Sequence, residues 1–209
     1  MKTFLVEDTK FKQIFSPYCN MEKGPWIAGG SVRKVYEGKS WQSQDVDFFC
    51  KNKMQFDDLK SCMIKFGKIE QEYATQNAIS YKIYIGPDKN PTIWNLEALN
   101  ESSDDHSNPE NYLHIQLIQK NWHESAWSLI NDFDLGLSQF VTDGNVILTT
   151  NQAIEDVTDG IIRPNRIYSK DITPQRLTKY CAYGYRPELG LLKNVLQTIM
   201  KTGYGNVDY

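Results

Sequence analysis

The stretch Trp26 to Phe49, WIAGGSVRKVYEGKSWQSQDVDFF, restricts this chain more than any other. An apolar run, Trp26 to Ala28, stops at two glycines, as a short buried strand does when it meets a turn. Ser31 then opens a helical pattern that Gly38 closes. In DVDFFC, strand alternation puts Asp45 and Asp47 on one face and Val46 and Phe48 on the other. Strand, glycine turn, helix and strand follow within two dozen residues, and their order predicts an α+β unit.

The same residue types suit phosphate chemistry. Gly29 and Gly30 let backbone N–H groups approach a phosphate closely, and Ser31 offers a hydroxyl at a helix start that favours anions. Arg33 is either a bidentate phosphate partner or a structural anchor in an internal ion pair. Two aspartates one residue apart present hard oxygen ligands that suit Mg²⁺, or Mn²⁺. A cation held there can bridge the phosphates of a nucleotide and stabilise in-line attack on phosphorus. Taken singly, DVD is a strand end and GGS a turn; in this order, with a helix between them, a site is the better reading.

Composition bounds the function classes. The 209 residues, 40% hydrophobic and 12% aromatic, suit one generous domain or a main domain with a small appendage. A net charge of −3 excludes a global basic field for sequence-blind nucleic-acid binding. Cys19, Cys50, Cys62 and Cys181 form no CxxC pair, and only three histidines are present, so reduced thiols in a cytoplasmic protein are expected rather than zinc. Charges interrupt the N-terminal apolar run, so no signal peptide is read there, and no stretch approaches a membrane span. The compact motif set would suit a phage-encoded protein.

Along the rest of the chain, Phe4, Phe11, Ile14 and Phe15 predict a short helix before Pro17, and FDDLKSCMIKFG predicts a second ending at Gly67. AISYKIYIG and YLHIQLIQK read as strands, Asn100 to Asn111 as a polar loop, and ESAWSLIND as a helix. FDLGLSQFVTDGNVILTT reads as two strands joined at Asp143-Gly144. From about Thr173, TPQRLTKYCAYGY and ELGLLKNVLQTIMKTG predict two helices. Arg176, Lys179, Tyr180 and Tyr183 share a face of the first, for phosphate contact and base stacking, or with Leu177 as a buried seam. Asp104, Asp105 and His106 read as a solvated turn, His114 and His123 as core or surface residues, Glu155 and Asp156 as helix-start or ion-pair residues. Trp94, Trp122 and Trp127 are expected in the core.

These motifs resemble the class II nucleotidyltransferases, the CCA-adding enzymes and bacterial poly(A) polymerases of the polymerase-beta-like superfamily. GGSVRK is similar to that family's GGxVRD turn, with Lys34 in place of the aspartate, and Asp45 and Asp47 fall where its DxD metal ligands lie. NDFDLGLSQFVTDGNVI resembles the RRDFTINA segment, keeping Asp132 and Phe133 with Asn131 in place of an arginine. NQAIEDVTDGIIRP is similar to the close of the head domain at Arg163. TPQRLTKYCAYGY resembles the neck helix, with Pro174, Arg176, Leu177, Lys179 and Gly184 in register. The resemblance spans roughly Trp26 to Tyr185. It implies a mixed sheet with flanking helices over residues 1–168 and a helical neck-like extension over 169–209.

It also implies a Mg²⁺-dependent transfer of a nucleoside monophosphate from an NTP to a hydroxyl on RNA, protein or a small molecule. Asp45 and Asp47 would hold the metal. Gly29, Gly30, Ser31, Arg33, Arg176 and Lys179 would bind the nucleotide. Where the family places a third carboxylate, the counterpart here and third candidate catalytic residue is Gln116, whose amide can touch a metal-bound water but supplies neither charge nor base; Glu97 is a substitute from a neighbouring segment. The body and tail that hold tRNA do not follow the neck. The alternative expectation is therefore a nucleotidyltransferase-fold protein that binds a nucleotide or a partner protein without turnover.

Overall fold

The computed structural model describes residues 1–42, 44–86, 111–165, 172–193 and 197, with the backbone alone at 172–174. Trp94, Glu97, Asp104, Asp105, His106 and most of the second C-terminal helical pattern lie outside the described residues. Eight strands form one sheet: β1 (Lys2–Leu5), β2 (Trp26–Ala28), β3 (Val46–Phe49), β4 (Lys68–Ala74), β5 (Ala78–Tyr84), β6 (Tyr112–Ile118), β7 (Phe140–Thr142) and β8 (Val146–Thr149). Their spatial order is β1-β8-β7-β2-β3-β6-β5-β4. Strands β3 and β6 run parallel and every other neighbouring pair is antiparallel.

Helices α1 (Thr9–Phe15), α2 (Gly30–Tyr36) and α3 (Lys53–Ser61) cover one face of this sheet. Phe11, Phe15, Val32, Phe56 and Leu59 meet Val46, Phe48, Ile79, Tyr81, Ile83, Ile115 and Leu117 in the main core. Truncating a fully enclosed ring such as Phe48 there costs about 3–5 kcal/mol. On the opposite face a smaller cluster joins Trp26, Ala28 and Val141 to Ala126, Leu129 and Ile130 of α4 (Ala126–Asn131). Asp47 and Gln116 belong to that second face, so the sequence alternation that buried Val46 and Phe48 also exposed the candidate site.

A third cluster fastens the C-terminal helix α6 (Ile172–Ala182) to the head. Leu177, Tyr180 and Leu191 pack on Leu135, Leu137 and Ile162, with Val157 of α5 (Asn151–Asp159) alongside. Parallel pairing of β10 (Arg186–Pro187) with β9 (Ile161–Ile162) closes the same junction. Tyr180 is thus part of the buried seam, while Tyr183 is 43% exposed.

Several elements differ from the sequence expectation. Phe4 lies in β1, because the Asp8 side chain accepts from the Phe11 amide and starts the helix only at Thr9. Gly29, not Ser31, caps α2. The helical pattern aimed at Gly67 ends at Ser61 and tightens into a 3₁₀ turn, Met63–Phe66, that directs Met63 and Phe66 into the core. Strand β4 was not anticipated: all seven of its residues are exposed, so it has no apolar alternation to betray it. Trp122 and Trp127 are 40% and 47% exposed rather than core, since α4 turns Leu129 and Ile130 inward instead. The Asp143-Gly144 turn forms as read, with the Asp143 carboxylate accepting from Asn145 and Val146.

Candidate nucleotide site

The glycine turn is built by Gly29. Its φ of +90° and ψ of −140° are open to glycine and strained for any L side chain, and they redirect the chain from β2 into α2 within one residue. A Cβ there would meet Asp47 Oδ2 at an ordinary 3.8 Å, so backbone conformation rather than space requires the glycine. The Gly29 amide donates to the Phe140 carbonyl at 2.9 Å. The amides that remain for an anion are those of the first turn of α2. Ser31 sits in that turn, fully buried, and its Oγ has no hydrogen-bond partner among the described residues.

The paired acids lie beside this turn. Asp45 is exposed just before β3, and Asp47 is half-buried within it. Asp47 pairs across the sheet with Ala28 on one side and Gln116 on the other. Directly opposed residues project from the same face, so Gln116 is the immediate neighbour of Asp47. Ser80 continues the row on β5. Burial first and the Asp45 charge second raise the Asp47 carboxyl, the Lys179 and Arg176 cations draw it down, and the balance leaves it at about 7 against an ordinary 3.8. Its Oδ1 is enclosed without a hydrogen-bond partner among the described residues. A carboxyl so placed favours a cation as its partner.

The Lys179 and Arg176 charges on α6 act on this carboxylate electrostatically, so the fold couples the two ends of the sequence pattern. Arg176 also pairs with Asp134, which is 5% exposed. Asp134 went unnoticed in the sequence; it stands two residues beyond Asp132 in NDFDLG, and only contact with a distant helix gives it a role.

Arg33 takes its partners from within the protein. It is 1% exposed, its Nε lies 3.5 Å from Glu37 Oε2, and its guanidinium faces the rings of Tyr180 and Tyr185 at 4.9 and 5.1 Å. Glu37 and Tyr185 were also missed, because nothing in their sequence spacing links position 37 to position 185. Asp156 forms an internal ion pair with Arg163 at 2.7 Å; burial raises its carboxyl, the arginine draws it back, and the balance leaves it at about 6. His123 is buried, its ring against Phe49, and burial lowers its titration. His114 is half-buried opposite Lys82. Cys19, Cys50, Cys62 and Cys181 are free thiols.

The donor chemistry of Asp45 and Asp47, together with the orphaned Oδ1, fits a hard divalent cation. Among the described residues no group of three or more His, Cys, Asp or Glu side chains is placed to hold a metal. No helix among them is long and apolar enough to cross a membrane.

A model of the Gabija anti-defense 2 family matches residues 5–159, most of the chain, and the chain belongs to that family. No curated protein matches the sequence. Among solved structures, a CCA-adding enzyme in complex with ATP aligns at a TM-score of 0.61 and 13% identity, over 98% of this chain and 48% of that one. The Thermotoga maritima CCA-adding enzyme complexed with tRNA aligns at 0.59 and 12% identity, over 96% and 47%. A CCA-adding enzyme complex with CTP aligns at 0.58 and 13% identity, over 98% and 48%. The chain spans about half the length of these structures. The likeness shows a nucleotidyltransferase-like fold, a large mixed sheet with flanking helices like the head of a CCA-adding enzyme.

Proposed function

We propose, for this member of the Gabija anti-defense 2 family, a compact divalent-metal-dependent nucleotidyltransferase that moves a nucleoside monophosphate from an NTP to a hydroxyl acceptor. The observation that carries the reading is the convergence on Asp47: the glycine turn beside it, Asp45 before it, and the charges of Lys179 and Arg176 acting on it. In this reading Asp45 and Asp47 hold Mg²⁺ or Mn²⁺, which supplies charge neutralisation at the phosphates when bound. The first-turn amides of α2, with Gly30 and Ser31, receive phosphate oxygens. Arg176 and Lys179 neutralise charge that develops on the transferring group and on departing pyrophosphate. The acceptor oxygen forms the new bond to the α-phosphorus as the bond to the β-phosphate oxygen breaks.

The ATP, CTP and tRNA named with the solved neighbours supply the first ligands to try. Membership of the Gabija anti-defense 2 family makes components of the Gabija defence further acceptors to try beside RNA, protein and small molecules. Gln116 favours a second reading, in which the protein binds a nucleotide or a protein partner without turnover. It stands beside Asp47 in register, where a carboxylate would have completed the acidic set.

The test incubates the protein with each labelled NTP, Mg²⁺ or Mn²⁺, and total RNA or cell lysate. An Asp45→Ala/Asp47→Ala variant is the control. Label transfer that the double variant abolishes supports the enzyme. Metal-dependent nucleotide binding without transfer moves the assignment to the second reading, and neither binding nor transfer removes both nucleotide readings.

A further inference from the structure

A buried cation joins the glycine turn to the neck helix. Arg33 leaves α2 within one helical turn of Gly29 and Gly30, and its guanidinium lies over the rings of Tyr180 and Tyr185, which meet edge to face at 81° with centroids 6.2 Å apart. The Tyr185 hydroxyl donates to Glu37 Oε1 at 2.9 Å, and the other oxygen of Glu37 faces Arg33 Nε. The Tyr180 hydroxyl is 2.9 Å from Ser138 Oγ, which fixes that ring from its far end. Burying a guanidinium is costly, and apolar side chains would fill the same space without that cost. A cation set in the corner of two rings and beside a carboxylate fixes orientation instead, because α2 and both tyrosines must hold their places for all three contacts to persist.

Tyr180 directly follows Lys179 and lies one helical turn after Arg176. Any rotation or slide of α6 that releases the rings therefore carries both cations away from Asp47.

We propose that Arg33 is a positioning residue that acts through Tyr180 and Tyr185, locking α6 so that Arg176 and Lys179 keep their placement relative to Asp47; this rests on the nucleotide-binding reading above. Arg33 binds no phosphate in this role. It makes the turn and the cationic helix face one unit, so that a ligand on one is held by the other.

The test is a double-mutant cycle read by calorimetry with each Mg²⁺–NTP as the probe. It compares the full chain with Arg33→Lys, Lys179→Met and the double variant, with thermal midpoints recorded for each. Lysine keeps the charge and loses the broad guanidinium that spans both rings and Glu37. Arg33→Lys is expected to weaken the tightest NTP about tenfold in the parent and less than about twofold when Lys179 is already methionine. An equal loss in both backgrounds, or unchanged affinity with a lowered midpoint, overturns the proposal and leaves Arg33 a stabilising residue only. If Arg33→Lys does not fold, Tyr185→Phe, which removes one hydroxyl, runs the same cycle with a smaller loss expected in the same direction. A parent that binds none of the four Mg²⁺–NTPs removes the nucleotide-binding reading itself, and the positioning role with it.

Discussion

At the scale of single residues, Asp47 carries the most unusual chemistry. Folding raises its carboxyl from 3.8 to about 7, so the folded state holds the proton more tightly than the unfolded chain. The associated stability is present at low pH and lost as pH rises from about 4 through 7. Asp47→Asn is expected to stabilise the metal-free protein at pH 8 by on the order of 2–4 kcal/mol, with no gain below pH 4. Urea titrations in EDTA across that range measure this, and a gain independent of pH would mean that Asp47 is not held near neutrality. Gly29 gives a second test. Alanine there forces an L residue into φ +90°, so Gly29→Ala should cost about 1–3 kcal/mol in the same titrations. The residue types at both positions were readable in the sequence. The shifted carboxyl was not, since the burial that chiefly raises it exists only in the folded state.

At the scale of elements, the parallel pairing of β3 with β6 sets the composition of the site. The register places Gln116, and not Ile115 or Leu117, next to Asp47 on the open face. Gln116→Glu should tighten Mn²⁺ binding several-fold and cost about 1 kcal/mol without metal, because three carboxylates would then crowd one face. Calorimetric Mn²⁺ titration of the two proteins checks it; unchanged Mn²⁺ affinity would place Gln116 outside the metal's reach. The alternation in YLHIQLIQK announced β6 and its faces correctly, because period-two burial is a local property. Helix limits were less legible. Asp8 and Gly29 overrode the starts read at Phe4 and Ser31, since capping is decided by backbone geometry that hydrophobic spacing does not encode.

At the scale of the whole molecule, the neck-like segment and the head share one interior. Leu177, Tyr180 and Leu191 complete a cluster that Leu135, Leu137 and Ile162 cannot close alone. Leu177→Ala is expected to destabilise the whole chain by about 2–5 kcal/mol in one transition. Tryptophan fluorescence, which reports the head, should shift together with far-ultraviolet ellipticity; separate transitions would show that the neck folds apart. The expected boundary at residues 168 and 169 marks a change in sequence character, whereas the packing carries contacts from both sides of it.

The sequence by itself determined the local grammar: a strand, a glycine turn and a helix, two acids on one strand face, and a later helix with cations and tyrosines on one side. Those follow from backbone conformation and from burial periodicity, which neighbouring residues dictate. Only the tertiary structure decided that the cations of that helix act on Asp47, that Asp134 pairs with Arg176, and that Arg33 turns inward to two tyrosines about 150 residues away. Such pairings depend on how sheet, α2 and α6 pack, and residue spacing along the chain holds no measure of that distance.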